Sequence, residues 1–299
     1  MSAPQQQDYV LRFGFTGLPV RGAIADLSAC WQQLATYRSY PAPLTGWLAQ
    51  AMLALSMIRT GIKDSGKLGL QIRGNSTLRL LTADCNQQLH VRAAATYSDI
   101  EALPDTLSAI DDGVLALMLS DGQRMLSQGM VALSGNTDLP ENADMAALLQ
   151  HYFAQSEQLQ TRFLLFFHQQ RPTGIMLQRM PGNLSADDWH RLGLLLDTLS
   201  PAEMHSTPPE LLLSRLFAED EVVLFDQYQP AYRCSCDRER VATVLLQLGR
   251  EDITDLLQER GEVTVDCEHC GRIYRFDSVD ITQLFAVGEH AAPGSASLQ

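Results

Sequence analysis

The sequence predicts an α+β protein in three parts: a mixed antiparallel-sheet and helix domain over 1–180, a helical connector over 181–230, and a small four-cysteine zinc-binding domain over 231–290. Three observations carry this reading. Short alternating apolar stretches are interleaved with helical periodicities through the first 180 residues; a leucine-rich, strongly acidic stretch follows; and four cysteines stand in two tight pairs near the C-terminus. The last stretch, 291–299, is small and polar and is expected to take no fixed fold.

Strand signals come first in the chain. Alternation in Tyr9-Val10-Leu11-Arg12-Phe13, in Leu68 to Arg73, in Thr77-Leu78-Arg79-Leu80 and in Val114 to Met118 predicts strands with one face buried. Helical spacing predicts helices at Leu27 to Tyr37, Leu44 to Ile62 and Met145 to Gln155. The strands lie close in sequence, which favours antiparallel neighbours over crossovers. Two glycine-bearing stretches, Arg73-Gly74-Asn75-Ser76 and Ser120-Asp121-Gly122-Gln123, open no helix and carry no following Lys-Ser/Thr, so they read as turns and not phosphate loops.

The connector opens with Pro181-Gly182-Asn183. Ser185-Ala186-Asp187-Asp188 then offers a capping pattern ahead of Trp189, Leu192, Leu195, Leu196 and Leu199 at helical spacing, and Pro201 ends that helix. Thr207-Pro208-Pro209-Glu210 reads as a second start, with a hydroxyl cap, before Leu211, Leu212, Leu213, Leu216 and Phe217. From Gly182 to Pro230 nine acidic residues face two Arg. Such helices are apolar on one side and self-repelling on the other, so they need a neighbouring surface, and the expected support is the cysteine-bearing domain that follows.

In the third part, Arg238 to Leu248 and Ile253 to Arg260 read as helices closed by Gly249 and Gly261. Val263-Thr264-Val265 and Ile273-Tyr274-Arg275-Phe276 read as a hairpin whose turn is the second cysteine pair. A unit of this size buries too little apolar surface to hold itself together and needs a staple, for which zinc is the obvious candidate.

Charge and hydropathy exclude several classes. The formal net charge of −13 opposes a phosphate-bearing partner, and the third part is itself acidic, with seven Arg against twelve Asp and Glu between Ala231 and His290. The longest apolar stretch, Trp47 to Ile58, is broken by Gln50 and Ser56 and falls short of the ~20 residues that span a bilayer. The polar start, Met1 to Tyr9, shows no secretory signal, so a cytoplasmic location is expected.

Cys234, Cys236, Cys267 and Cys270 are the candidate zinc ligands, since a divalent zinc ion takes about four soft donors in a tetrahedron. On the metal they would be thiolates, held in the form that oxidants attack. Arg233, Arg238 and Arg272 lie near enough in sequence to offset the negative charge of four thiolates. An inert structural site and an oxidation-sensitive one both satisfy the pattern. The single residue between Cys234 and Cys236 is tighter than the usual knuckle and suits local disulfide formation. His269 reads as a solvated turn residue, and Cys30 and Cys85 as buried free thiols with a packing role. Two other classes remain: a zinc-finger nucleic-acid-binding or transcription protein, which the acidic third part disfavours, and a thiol oxidoreductase, which would place its Cys-x-x-Cys at a helix start after a strand.

Taken with its surroundings, the constellation Cys234-Ser235-Cys236-Asp237-Arg238-Glu239-Arg240, the second pair with Gly271, and Tyr274-Arg275-Phe276 closely resemble the redox-regulated 33-kDa heat-shock chaperonin family, bacterial cytoplasmic holdases. Supporting segments are Val20-Arg21-Gly22, Asn86-Gln87-Gln88, Tyr152-Phe153, Ser156 to Thr161, Met180-Pro181 and Leu213 to Phe217. Thr173-Gly174 stands where the family often has paired glycines, a departure expected to touch only a local turn. The resemblance implies a chaperone and not an enzyme: inactive while reduced and loaded with one zinc per chain, and activated by oxidants through disulfides Cys234–Cys236 and Cys267–Cys270. Zinc release and unfolding of the third part and connector would follow. It further implies capture of unfolding client proteins by a homodimer without ATP, and later transfer to ATP-dependent foldases. No role for Cys30 or Cys85 follows from it.

Overall fold

The computed structural model describes residues 7–74, 77–121, 124–133 and 139–290. It divides into two compact units, one ending at Arg233 and the other beginning at Cys234.

The first unit is built on two sheets. Strands β1 (Tyr9–Phe15), β2 (Val20–Asp26), β8 (Thr161–His168), β9 (Arg171–Arg179) and β10 (Val222–Tyr228) form an antiparallel sheet in the order β10-β1-β2-β9-β8. The second sheet has the order β11-β5-β4-β3-β6-β7, from β3 (Lys67–Arg73), β4 (Leu78–Cys85), β5 (His90–Tyr97), β6 (Val114–Ser120), β7 (Met125–Ala132) and β11 (Ala231–Tyr232). It is antiparallel throughout except where the two-residue β11 runs parallel to β5. The α+β class read from the sequence is the class observed.

Helix α2 (Ala42–Arg59) is buried on nearly every side, as an all-round apolar helix must be, and joins both sheets in one core with α1 (Ser28–Tyr37) and α3 (Met145–Ser156). The turn between β6 and β7 is closed by Asp121, whose backbone N–H donates to the Arg124 carbonyl and whose carboxylate accepts from the Arg124 N–H. Asn75 and Ser76 of the first predicted turn, and Gly122 and Gln123 of the second, lie outside the described residues, as does 291–299.

Strand β1 departs from expectation. Alternation in its sequence predicted one buried face, but both are covered. Val10 points into the core around α2, whereas Tyr9, Leu11, Phe13 and Phe15 enter a second core on the opposite side of the sheet. The cover over that second side is the connector. Its helices α4 (Ala186–Asp197), α5 (Pro201–Ser206) and α6 (Pro209–Leu216) contribute Leu192, Leu196, Met204, Leu212 and Leu213, and Phe217 closes the layer against Phe13 and Phe15 at centroid distances of 6.0 and 5.0 Å. The surface that steadies these acidic helices is therefore the first sheet, not the cysteine domain expected from the sequence.

The connector is also not helical throughout. Val222-Val223-Leu224-Phe225 is β-branched and aromatic, and it pairs with β1 as the edge strand β10. Arg191 ties α4 to the turn before β10 by two bonds to the Asp220 carboxylate, at 2.8 and 2.7 Å. Ser185 caps α4 as predicted, accepting from the Asp188 N–H. Pro201 does not merely end that helix: it opens α5, behind a full capping box between Ser200 and Glu203. The predicted hydroxyl cap at Thr207 is absent, because α6 starts at Pro209 with Pro208 in the capping position. Thr173-Gly174 likewise lies within β9 and not in a turn, and a Cβ on Gly174 would stand 2.4 Å from the Leu164 carbonyl oxygen of the neighbouring strand.

The second unit holds α7 (Arg238–Leu248), α8 (Arg250–Arg260), the hairpin β12 (Val263–Asp266) and β13 (Ile273–Phe276), and α9 (Ser278–His290), an additional helix beyond those read from the sequence. Its core among the described residues is small: Leu245, Ile253, Val263, Tyr274, Phe276, Ile281 and Phe285. No helix among the described residues is long and apolar enough to cross a membrane.

Candidate metal centre

Two local structures present the four cysteines. The first pair leads into α7, whose capping residue Asp237 accepts from the Arg240 N–H at 2.7 Å. Arg240 folds back over that loop and donates to the Ser235 carbonyl and hydroxyl, at 2.8 and 2.7 Å, which holds Cys234 and Cys236 on one side of the turn. The second pair caps the β12–β13 hairpin. There the Cys267 N–H donates to the Arg272 carbonyl and the Gly271 N–H to the Cys267 carbonyl, at 2.9 and 2.8 Å. Gly271 takes a φ of +63°, in the left-handed region where a side chain is disfavoured, and so turns the chain back toward β13.

All four sulfurs lie within 4.8 Å of one another. Two contacts cross between the pairs: Cys234 to Cys267 at 3.5 Å and Cys236 to Cys270 at 3.3 Å. Thiolates ~2.3 Å from one tetrahedral ion stand ~3.8 Å apart, so the cluster has the size and donor chemistry of a four-thiolate metal site. His269, expected to be solvated, is half-buried, and the group of candidate ligand atoms consists of the sulfurs alone.

The sulfurs are electrostatically unequal. Burial raises the pKa of Cys234 and Cys270; at Cys236 burial acts the same way, but its polar neighbours, the Tyr274 hydroxyl and the other three cysteines, prevail and bring it down to about 7. Cys270 is pushed up to about 12, by burial first and then by hydrogen bonds to Cys236 and Cys234. A divalent ion is what would allow four thiolates to coexist in so small a space. Of the three arginines expected to offset that charge, Arg272 faces Tyr274, Cys236 and Cys270. Arg238 is committed elsewhere: it lies over the Phe276 ring, donates to the Arg275 carbonyl and pairs with Asp280 at 2.6 Å. Arg233 belongs to the first unit.

Tyr274 and Arg240 are the supporting residues whose roles the spacing of cysteines did not reveal. Tyr274 is legible in retrospect as the inward position of a strand that alternates exposed and buried, with its hydroxyl buried near Cys236 and without a hydrogen-bond partner among the described residues. Tyr274→Phe keeps the ring in the core and removes that donor. It is expected to lower metal affinity by about tenfold, the lower end of the usual effect of an outer partner, as measured by competition with a chromogenic chelator; unchanged affinity would show that the hydroxyl does not act on the site.

Cys30 and Cys85 are 2% and 0% exposed. Burial raises both thiol pKa values, with Asp8 adding to the effect at Cys30, and holds Cys85 at about 12, so both stay protonated and unreactive at neutral pH.

Comparison with known proteins places this geometry in context. A family model described as "Hsp33 protein" matches residues 8–277. The 33 kDa chaperonin of Chromobacterium violaceum is 36% identical over 282 residues, covering 93% of this chain and 94% of the relative. That of Azotobacter vinelandii is 35% identical over 297 residues, covering 96% and 98%. Among solved structures, the 33 kDa chaperonin of Thermotoga maritima superposes with a TM-score of 0.80 at 21% identity, over 95% of this chain and all of that one, a likeness of fold.

Proposed function

Because the chain belongs to the Hsp33 family, we propose that it is a redox-regulated, ATP-independent holdase: a chaperone, not an enzyme, that binds unfolding proteins when its cysteine cluster is oxidised. The observation that carries this reading is the convergence of four sulfurs, within 4.8 Å, in a unit whose core is too small to be self-sufficient. Cys234, Cys236, Cys267 and Cys270 would hold one zinc ion, which supplies the cross-link that folds the unit.

The resting state is reduced and metal-bound. Two-electron oxidation of each pair by peroxide or hypochlorous acid joins Cys234 to Cys236 and Cys267 to Cys270, with two thiolates giving up two electrons per disulfide and the oxidant reduced to water or chloride. The ligands are then lost and zinc is released. Closing each pair on itself gives up the cross-pair contacts of Cys234 with Cys267 and Cys236 with Cys270, and with them the link between the hairpin cap and the α7 turn.

Loss of that unit acts on the first through the chain itself. The clamp of β11 on β5 ends with the Arg233 N–H donating to the Val91 carbonyl, one residue before Cys234. Upstream of this two-residue clamp lie β10 and the connector helices. Freed, these expose the apolar face of the first sheet, while their net charge of −7 keeps the released segment solvated. The same reading has the active form a cytoplasmic homodimer that hands clients to ATP-dependent foldases, without nucleic-acid or membrane partners.

The deciding experiment follows zinc release and light scattering of a thermally unfolding client during treatment with peroxide at raised temperature. Release of about one zinc per chain should accompany suppression of aggregation. Equal protection by reduced and oxidised protein sinks the switch, and mass mapping of disulfides other than the two named pairs sinks its chemistry.

A further inference from the structure

We propose that a cavity between the two sheets of the first unit is a binding site for a small amphiphilic monocarboxylate, remote in sequence from the cysteines and independent of the redox reading. The cavity measures about 220 Å³ and is bounded by β2, β3, β6, β9, the end of α2 and α3. At ~30 Å³ per water it has the room of about seven waters, enough for a short acyl chain or one aromatic ring and too little for a two-tailed lipid or a nucleotide.

Its wall is apolar along most of its length, with Ile58, Leu68, Leu117, Phe153 and Met176 buried around it. At one side stands the guanidinium of Arg21, half-buried. No carboxylate pairs with it among the described residues, although burying an uncompensated charge is costly. Burial, and then the nearby charge of Arg12, draws the Arg21 pKa below the usual arginine value.

The guanidinium is fixed in advance. Nε donates to Gln178 Oε1 at 2.9 Å, Nη2 donates to the same oxygen, and Nη1 donates to the Gly61 carbonyl at 3.1 Å. Gln178, 2% exposed, is itself held by its amide N–H donating to Thr161 Oγ1 at 3.0 Å. The group lies so close over Gly61 that a Cβ there would stand 2.8 Å from Arg21 Cζ. One N–H on each of Nη1 and Nη2 is left over among the described residues, donors that a carboxylate can take.

A short apolar body against the wall and a single anionic head on Arg21 satisfy both halves of the cavity. Glu157 also lines it, exposed and accepting from the Tyr152 hydroxyl at 2.9 Å. A carboxylate there repels a ligand with a second negative charge, which selects monoanions over phosphates and diacids.

Octanoate and 1-octanol are the probes, titrated in parallel into the full-length, reduced, metal-loaded protein, with calorimetry for affinity and methyl resonances for location. Octanoate should bind saturably at one site and shift the methyl signals of Leu68, Leu117 and Met176. Octanol should bind at least tenfold more weakly, and Arg21→Gln should weaken octanoate by a similar factor while leaving octanol alone. Non-saturable octanoate binding, equal affinity for octanol, or shifts confined to another surface overturn the proposal. So does saturation by a peptide ending in a free apolar C-terminal residue where octanoate fails, since the cavity would then receive protein chain ends. If Arg21→Gln does not fold, the comparison of octanoate with octanol on the unaltered protein still decides.

Discussion

Protein carrying Cys267→Ser and Cys270→Ser is expected to hold no metal and to lose the fold of the second unit. Serine oxygen is a hard donor with a hydroxyl that stays protonated, so two of the four soft ligands vanish while the volume hardly changes. The metal term removed is on the order of 10 kcal/mol, which approaches or exceeds the whole stability of an ordinary domain. Against it the unit sets seven buried side chains among the described residues, the mutual packing of three short helices and a hairpin of two four-residue strands. The first unit keeps its own cores and should remain folded. Metal analysis and amide dispersion in an NMR spectrum check both halves: one zinc per chain in the variant sinks the four-ligand centre, and a dispersed second unit without metal sinks the staple.

Phe217→Ala is expected to produce holdase activity without an oxidant. Phe217 is 1% exposed and sits where the end of α6 meets Phe13 and Phe15. Removing a buried ring of this kind costs about 3 to 5 kcal/mol. The loss falls on a local layer, which opens at lower free energy than the domain as a whole. Reduced, metal-loaded Phe217→Ala should therefore suppress client aggregation, and hydrogen exchange should quicken over α4, α5 and α6 while α2 stays protected. Faster exchange without any chaperone activity would separate the connector from client binding and refute the proposed route of activation.

These two substitutions also mark what the sequence made legible. The cysteine cluster could be read because metal coordination is a short-range demand: two pairs, a hairpin and a helix start are visible within their own few residues. Capping at Ser185 and helix closure by Gly249 and Gly261 are local in the same sense. What covers the far side of β1 was not legible, because alternation in a strand says which residues share a face and nothing about what arrives on it from 180 residues later. Strand β10 was missed for a related reason. Its run of Val222 to Phe225 sits among acidic residues behind two helix signals, and only pairing with β1 decides its state. Tyr274 was read as a strand residue, while its place near Cys236 depends on the hairpin bringing its hydroxyl back toward the knuckle. The Arg21 cavity needs β2, β9 and the end of α2 together, and none of these announces the others.

The place of β10 at the sheet margin has a consequence for what a client would meet. The segment that shields the apolar side of the first sheet is continuous with the strand that closes its rim, so under the proposed switch both would depart together. That would leave β1 as the outermost strand, with the backbone groups from Val10 to Phe15 that pair with β10 unsatisfied. An unfolding chain presented with that margin finds a ladder of donors and acceptors beside the greasy face, and can dock by adding itself as a strand. Recognition of that kind reads main chain and not side chains, which is the property a protein needs if it must hold many different sequences without preferring one.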